Sequence, residues 1–468
     1  MQGHGYNGEE NFMTAKTVLT NLVDQAFEKN TFPEAARDKA ATCLADFLSC
    51  ALEAADLPWS RQSFALAAGR AGDCVIVGEA GGFTAEDAAF ANAVRGHGLV
   101  REDMHAGSLS HMGVVIWPVL LSLAGEAADL KTRPLDAAIA GYEIGGRIGR
   151  ALMTPEMARL FRPTGLIGPL SGTLAGALLL GLDRQTTVNA LALAINTAGG
   201  LNEWPHSGAD DMYFHPGFAS RNVLTALRLA RLGAHGSASA IDGVAGLFAA
   251  FGRQKAPREF VLYPDGECEI MAVFNKEVPA CNFAQSPCQV ALSAAQRVGA
   301  GDSIKAIHLS TYAAALNYPG CAYRGPFETP LQAKMSIYFG MAAAIARGEI
   351  AEANYAMLDD PRIAELIGMT SVSISDDLNR AFPAQQGARV RIETTAGAVI
   401  EEALDDIRSA SPGLVRARLA KVAKARLGAG RAGDLDRAID HLADGGNDTA
   451  SLAALAGLAA AEVGERVS

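Results

Sequence analysis

Histidines and acidic residues are concentrated in one short segment, residues 101–113, which reads ArgGluAspMetHisAlaGlySerLeuSerHisMetGly. A histidine can accept or donate a proton near neutral pH, and a nearby carboxylate can orient its ring or raise its basicity. Asp103, His105 and His111 are therefore candidates for moving a proton on a carbon atom next to a carboxylate. The structural alternative is that Asp103 or Ser108 caps the helix predicted to follow and that His105 is solvated.

A second candidate histidine, His215, lies in the segment 208–217, GlyAlaAspAspMetTyrPheHisProGly. Pro216 and Gly217 predict a loop that leads into the next helix. A histidine in such a loop can face a ligand. The alternative is a histidine that only satisfies its own hydrogen bonds at the start of that helix.

The motifs of familiar cofactor and metal sites do not match this sequence. The glycines at 141–149 have neither a preceding predicted strand nor GxGxxG spacing. His105 and His111 are six residues apart rather than four, and no set of cysteines or carboxylates completes a known metal motif. The sequence predicts an enzyme that uses no nucleotide, flavin, metal or other cofactor.

The composition restricts the class of protein. The chain has 468 residues, of which 49% are hydrophobic and 19% are charged, and its formal net charge is -11. The length favours two domains with a large buried core, and the negative charge argues against nucleic acid or a membrane surface as a partner. The seven cysteines are dispersed without CxxC pairs, which favours reduced thiols and a cytoplasmic location.

Two apolar stretches, 114–128 and 166–182, are interpreted as buried helices rather than membrane spans. The first contains Pro118 and Glu126, and the second is rich in glycine. The N-terminus lacks the basic and apolar regions of a secretory signal, so we treat the residues before Met13 as an extension and leave them out of the fold.

The organisation of the chain predicts a mainly α protein in three segments. Residues 14–256 have apolar residues at helical spacing, and the glycines within 164–182 predict closely packed helices in preference to a ligand site. Residues 257–404 contain alternating stretches typical of strands, with a hairpin after Ala388. Helical periodicity returns over 405–468 and predicts that this segment rejoins the first one.

Blocks spread over about residues 18 to 460 resemble the MmgE/PrpD family, whose members include 2-methylcitrate dehydratase, cis-aconitate decarboxylase and iminodisuccinate epimerase. The blocks are AlaAspPheLeuSerCysAlaLeu from Ala45, the segment 103–113, GlyTyrGluIleGlyGlyArgIleGly from Gly141, PheArgProThrGlyLeuIleGly from Phe161, HisProGly at 215–217 and GlnAlaLysMetSerIleTyrPhe from Gln332. The resemblance implies a large all-helical domain built from both chain ends and a smaller α+β lid domain. It also implies a cofactor-free active site in the cleft between them and a homodimer.

Four residues match functional positions of the family. His111 stands at the histidine of a HisProGly motif, although Met112 replaces the proline. Lys276 stands at the lysine that precedes the active-site segment of the small domain. His215 matches its own block, and Asp103 matches one acidic position of the first motif.

Other positions depart from the family pattern. Met212 stands where dehydratase and decarboxylase members usually have a lysine, so one cation for a substrate carboxylate is missing. Arg162 and Cys281 occupy positions that carry histidine in the family, and the usual tyrosine of the last block appears as Phe339 beside Tyr338. These changes argue against decarboxylation and favour the epimerase branch.

The resemblance therefore predicts an isomerase rather than a lyase, acting on an iminodisuccinate-like dicarboxylate. Epimerisation needs groups that remove and return a proton on opposite faces of one carbon. Lys276 serves one face, and His111 or Tyr338 serves the other. Arg162, whose planar guanidinium can bind a carboxylate through two parallel hydrogen bonds, holds the substrate together with His215.

Several alternatives remain open at this point. Cys281 is another candidate base, as a thiolate activated by Lys276, unless it is an inert buried cysteine. Asp103 and His105 complete the expected substrate-binding set. The protein is alternatively a lyase of the 2-methylcitrate dehydratase or cis-aconitate decarboxylase type, acting on a small di- or tricarboxylate, or a ligand-binding protein without catalytic activity.

Overall fold

The computed structural model describes residues 16–126 and 130–446 of the chain. Helices dominate these residues, and the fold is mainly α, as the sequence predicts. The predicted N-terminal extension and the end of the last predicted helical segment, beyond residue 446, lie outside the described residues. The helices of the first half are α1 Val18–Glu28, α2 Glu34–Glu53, α3 Pro58–Ala67, α4 Ala85–His97, α5 Gly113–Glu126, α6 Pro134–Leu152, α7 Pro155–Leu160, α8 Pro163–Leu180, α9 Arg184–Ile195, α10 Trp204–Ser207 and α11 Asp211–Arg231.

The second half mixes helices and strands. Its helices are α12 Gln285–Ala295, α13 Ala313–Asn317, α14 Pro330–Met335, α15 Ile337–Arg347, α16 Pro361–Met369, α17 Asp376–Ala381, α18 Pro412–Leu427 and α19 Ala429–Ala443. The strands of the described chain are β1 Met104–His105, β2 Val273–Phe274, β3 Ile304–Thr311, β4 Thr370–Ile374, β5 Ala388–Thr394 and β6 Val399–Leu404.

Helices α5 and α8 lie in the larger hydrophobic core and are almost entirely buried. A Cβ atom added at Gly168 would lie 2.7 Å from Val115 Cγ2, and one added at Gly176 would lie 2.7 Å from Leu227 Cδ1. The predicted close packing of this glycine-rich helix is therefore confirmed. By length and composition α8 could cross a membrane, but 89% of it is buried inside the protein, which is the setting of a core helix.

A second hydrophobic core forms around a four-stranded sheet of order β4-β3-β5-β6. Strand β3 runs parallel to β4 and antiparallel to β5, and β5 and β6 form the predicted antiparallel hairpin. Helix α12 packs on β5 and β6, and α15 packs on α12. Side chains from α4, α10 and α11 also enter the second core. The C-terminal helices α18 and α19 instead pack on α2 in the larger core. The domain boundaries at 256/257 and 404/405 stay predictions.

A short two-stranded ribbon connects the two halves near the predicted site residues. Strand β1 pairs antiparallel with β2, so that Met104 lies opposite Phe274 and His105 lies opposite Val273. This pairing places the segment 101–113 beside the chain that carries Lys276. Each strand has only two residues, and the sequence gives no alternation by which to predict them.

The predicted loop around His215 is wrong. His215 and Pro216 both lie inside α11, which begins at Asp211. Proline removes one helical hydrogen bond, but tertiary packing holds the helix together. A Cβ atom at Gly217 would lie 2.8 Å from the ring of Phe90, so α11 and α4 are in close contact here.

Candidate active site

One cavity of about 230 Å³ brings together four of the predicted site residues. His111, Arg162, Lys276 and Cys281 all line it, and all four are buried. His111 comes from the loop after β1, Arg162 from the start of α8, and the other two from the chain after β2. The cavity is thus built from segments far apart in the sequence.

The hydrogen bonds of His111 determine which ring nitrogen carries the proton. Nδ1 lies 2.9 Å from the backbone oxygen of Asp103 and 2.9 Å from Glu102 Oε1. A carbonyl oxygen can only accept, so Nδ1 carries the hydrogen. Nε2 makes no hydrogen bond to any described residue and is the atom free to accept a proton. The backbone N–H of His111 donates to Thr164 Oγ1 at 3.0 Å, which fixes the loop to α8.

Arg162 is oriented by His97, a residue that the sequence reasoning missed. Its Nη2 donates to His97 Nε2 at 2.8 Å, so the proton of neutral His97 is on Nδ1, which donates to Glu102 Oε1 at 2.5 Å. The backbone N–H of Arg162 donates to the oxygen of Gly200 at 2.9 Å. Gly200 has φ of +114°, and a Cβ atom there would lie 3.2 Å from Arg162 Cβ, which accounts for glycine at this position.

The result is one continuous network, Arg162–His97–Glu102–His111, with charges set by burial. Burial, followed by the charge of Lys276, lowers the pKa of His111 to about 3, so the ring is neutral at pH 7. Burial likewise lowers the pKa of His97. Burial by itself raises the pKa of Glu102, but His97 and His111 outweigh it and lower that pKa well below its usual range. A single carboxylate therefore accepts from two neutral rings.

Lys276 is completely buried and pairs with backbone oxygens rather than with a carboxylate. Its Nζ donates to Val100 O at 3.0 Å and to Ala280 O at 3.2 Å. These bonds occupy two N–H groups. The third position of the nitrogen is an N–H when the lysine is protonated and a lone pair when it is neutral. Burial lowers the pKa of Lys276. Val100 has φ of +58°, which is unfavourable for a β-branched residue and places strain beside the cavity.

Cys281 lies beside a second thiol at the cavity wall. Its Sγ is 3.8 Å from Cys321 Sγ. This hydrogen bond is the main cause of a lowered pKa for Cys281, and Lys276 and Arg162 lower it further. The thiol is therefore more acidic than the other buried cysteines whose pKa burial raises, such as Cys288.

Tyr318 is a second residue that the sequence reasoning missed. It lines the cavity, and its hydroxyl accepts from Asn202 Nδ2 at 3.0 Å. Burial raises its pKa to about 12, although the nearby Arg162 opposes this, so the hydroxyl remains protonated and can donate. It follows the five-residue helix α13, and nothing in its sequence neighbourhood distinguishes it from the other tyrosines.

Four predicted residues, Tyr338, His105, Asp103 and His215, are not part of the cavity wall. Tyr338 is in α15, where the guanidinium carbon of Arg324 lies 4.8 Å from the centre of its ring. His105 Nε2 lies 2.7 Å from Glu269 Oε2. Asp103 accepts from the hydroxyl of Tyr142, and burial raises its pKa to about 7.

His215 also lies outside the wall, beside Arg162. A Cβ atom at Gly200 would touch both residues, 3.2 Å from Arg162 Cβ and 3.5 Å from His215 Nδ1. Burial, followed by the charge of Arg162, lowers the pKa of His215 to about 3. The roles assigned to His215, Asp103, His105 and Tyr338 stay predictions.

Within the described residues, one group has donors close enough together for a metal ion. Ligand atoms of His97, Glu102 and His111 lie within 4.8 Å of one another. Both histidines, however, direct a protonated Nδ1 at Glu102, and a metal ion would have to replace those protons. Arg162 and Lys276 add positive charge next to this group, which disfavours a cation.

Known proteins with similar sequences are named as lyases. The chain is 24% identical to a cis-aconitate decarboxylase of Aspergillus terreus, over 80% of this chain and 81% of the relative. It is 25% identical to a cis-aconitate decarboxylase-like protein of Aspergillus oryzae, over 82% of this chain and 84% of the relative. Over a shorter stretch, 36% of each chain, it is 32% identical to cis-aconitate decarboxylase of Homo sapiens.

The prediction of an isomerase is therefore wrong, because these relatives bear the names of lyases. The error came from interpreting Met212, Arg162 and Cys281 as a change of reaction. Substitutions in a cavity wall change the groups that a substrate meets, and with them the choice of substrate, without requiring a different reaction class.

Two family models match successive parts of the chain. The MmgE/PrpD N-terminal domain matches residues 21–259, and the MmgE/PrpD C-terminal domain matches residues 278–421. Both matches run in the order expected from the sequence blocks and together cover most of the chain. The chain thus belongs to the MmgE/PrpD family.

Proposed function

We propose that this protein is a lyase of the decarboxylase type that acts on a small unsaturated polycarboxylate without a cofactor. The observation that carries the proposal is the convergence of Lys276 Nζ, the Arg162 guanidinium and His111 around one cavity. The names of the relatives support the same class of reaction.

Decarboxylation requires a place for the electron pair of the broken bond. The bond between carbon and one carboxylate breaks, and CO2 leaves. The electron pair of that bond forms a new double bond to the neighbouring carbon. The electron pair of the original double bond moves to its far carbon, which takes up a proton. Lys276 is the proposed proton donor, because one of its N–H groups is not used by the carbonyls of Val100 and Ala280 and because its lowered pKa makes it a better acid. Arg162 stabilises negative charge on the remaining carboxylate during the shift.

A second lyase reaction, loss of water, is favoured by one specific observation. Dehydration needs a base for a C–H proton and an acid for the departing hydroxyl. The neutral His111 ring has its unprotonated Nε2 beside the acid Lys276. The same two residues therefore provide the base and the acid that dehydration requires.

Both reactions are tested by incubating the protein in deuterium oxide with a panel of unsaturated and hydroxylated di- and tricarboxylates. Proton NMR shows the incorporation of deuterium as the loss of a C–H signal, and it shows new vinyl signals directly. A coupled assay detects CO2. We expect loss of CO2 from at least one compound with one deuteron added to the product. If no compound in the panel loses CO2 or water, the lyase proposal fails.

The role of Lys276 is tested against a matched buried lysine. Lys334 is equally buried, but its Nζ pairs with Glu352 at 2.6 Å, and it does not line the cavity. Lys276→Met should lower kcat by about 10²- to 10⁴-fold, the usual contribution of acid–base catalysis. Lys334→Met should mainly lower the melting temperature, because Glu352 loses its partner. Equal kcat losses per folded molecule in the two variants would contradict the assignment.

A further inference from the structure

Part of the cavity wall is apolar. The buried side chains of Val100, Trp204, Met212 and Met335 line the cavity and belong to one continuous hydrophobic cluster. Met104 adds a further buried apolar side chain to the lining. A carboxylate placed against such a surface would lose its hydration without gaining hydrogen bonds, which is costly.

The buried charges of the site limit how many carboxylates it can hold. Among the described residues that line the cavity, Arg162 and Lys276 are the buried cations. Glu102 lies directly behind His111 and contributes a negative charge. The interior thus has two cations and one anion, so that a dicarboxylate leaves one negative charge without compensation and a tricarboxylate such as cis-aconitate leaves two. Each uncompensated buried charge is costly.

The mouth of the cavity offers little compensation for a third carboxylate. Arg159 lines the cavity but is exposed, and the exposed Glu156 lines it as well. An exposed cation contributes little to binding because water and salt screen it, and the neighbouring carboxylate opposes its charge.

We propose that the substrate is an alkyl-substituted unsaturated dicarboxylate. Arg162 holds the carboxylate that remains, the second carboxylate lies on the saturated carbon next to the double bond and leaves as CO2, and the alkyl group packs against Met212 and the adjoining apolar wall. This inference rests on the proposed lyase function for the identity of the reacting groups. The predicted preference for an alkyl group over a third carboxylate is independent of which bond breaks.

The test uses a series that differs in one substituent. 3-Methylglutaconate, 3-ethylglutaconate and 3-propylglutaconate carry an alkyl group at the position where cis-aconitate carries its central carboxylate, and they keep the carboxylate on the saturated carbon next to the double bond. Calorimetric titration of the wild-type protein should show an increase in affinity of about fourfold for each added methylene, as expected from burial of apolar surface. 3-Propylglutaconate should bind at least about tenfold more tightly than cis-aconitate. Tighter binding of cis-aconitate would overturn the proposal.

The variant Met212→Lys places a cation in the apolar wall and should reverse the order, so that cis-aconitate binds more tightly than 3-propylglutaconate. Met212→Leu keeps the wall apolar and is the matched control, which should retain the wild-type order. If Met212→Lys folds, as judged by circular dichroism, and keeps the wild-type order, Met212 does not select the substituent. If it does not fold, the wild-type series alone decides.

Turnover of the same compounds separates the two proposals. If the 3-alkylglutaconates bind more tightly than cis-aconitate but no compound of this series or of the hydroxylated panel loses CO2 or water, the lyase function fails and the inference on the ligand stands. If cis-aconitate is decarboxylated with a higher kcat/KM than every 3-alkylglutaconate, the function stands and the inference fails.

Discussion

Two buried histidine–carboxylate clusters in this protein differ in whether every histidine nitrogen has a partner. In the first, His97 and His111 donate to Glu102, and Nε2 of His111 makes no hydrogen bond to any described residue. In the second, both ring nitrogens of His105 are used, since Nδ1 accepts from the backbone N–H of Ser108 at 3.1 Å and Nε2 lies 2.7 Å from Glu269.

The carboxylates of the two clusters also differ in their partners. Glu269 is held by two arginines, with Arg147 Nη1 and Arg150 Nε each 2.9 Å from its oxygens. Glu102 accepts from two neutral rings, and its Oε2 has no hydrogen-bond partner among the described residues. The comparison teaches that a histidine available for chemistry is recognised by an unused nitrogen at a cavity, whereas His105 and His111 are the same residue type within one short segment, 101–113.

The largest expected effect comes from replacing the two histidines in turn. His111→Gln removes the proton acceptor at the cavity, so kcat for the loss of water, the reaction in which His111 is the proposed base, should fall by about 10²- to 10⁴-fold with little change in melting temperature. His105→Gln disturbs a cluster that does not line the cavity, so stability should fall by about 1–3 kcal/mol, the cost of a buried group that loses its partner. Kinetics and thermal unfolding of both variants provide the readout. A large kcat loss in His105→Gln with unchanged stability would remove the distinction between the clusters.

A smaller effect is expected from the carboxylates. Glu102→Gln keeps the Asp103 carbonyl that holds the proton on Nδ1 of His111, but it removes the negative charge that stabilises the ring once Nε2 takes up a proton. The kcat for the loss of water should therefore fall by about 10²-fold, the lower end of the contribution of acid–base catalysis. Because Glu102 acts through His111, the pH profile of kcat should shift as well, and Glu102→Asp should restore part of the rate. Glu269→Gln is the matched control and should retain both kcat and the pH profile. An unchanged pH profile in Glu102→Gln would mean that Glu102 has only a structural role.

Much of this fold follows from local patterns in the sequence. The period of apolar residues predicted the helices, alternation predicted β3 to β6, and the glycines of α8 predicted close packing. These features depend on residues that are neighbours in the chain, so one sequence is sufficient to recognise them.

The candidate site was predicted less completely, because its geometry depends on contacts between distant segments. His97 and Glu102 matter through hydrogen bonds to Arg162 and His111, and Tyr318 reaches the cavity only when the second half of the chain folds against the first. The residue pattern alone does not distinguish His105 from His111, which the family resemblance does, and Glu269, the partner of His105, lies 164 residues further along the chain. The sequence contains no local signal for such a partner.

The pH dependence of stability should also distinguish the wild-type protein from the variant His111→Gln. The pKa of His111 is lowered to about 3 in the folded protein, and an unfolded histidine titrates near pH 6.5. Between these values the unfolded chain binds more protons, so His111 makes the folded protein less stable as the pH falls from about 6.5 to 3. His111→Gln should therefore lose less stability than wild type over this range. Parallel curves of melting temperature against pH would show that His111 is not buried as a neutral ring.

The smallest effect, an absence of change, is expected from removing metal ions. His97, Glu102 and His111 resemble a metal-binding set by proximity alone, whereas the second cluster contains one histidine and one carboxylate. Because the Nδ1 protons of both histidines are directed at Glu102, and because Arg162 and Lys276 are nearby, we expect dialysis against EDTA to leave turnover unchanged and added Zn²⁺ to give no increase. Loss of turnover with EDTA and its recovery with Zn²⁺ would mean that Glu102 and the two rings bind a cation instead of sharing protons. Nδ1 of His97 and of His111 would then carry no proton, which reverses the tautomers assigned to both rings. The hydrogen-bond pattern that distinguishes His111 from His105 would not hold.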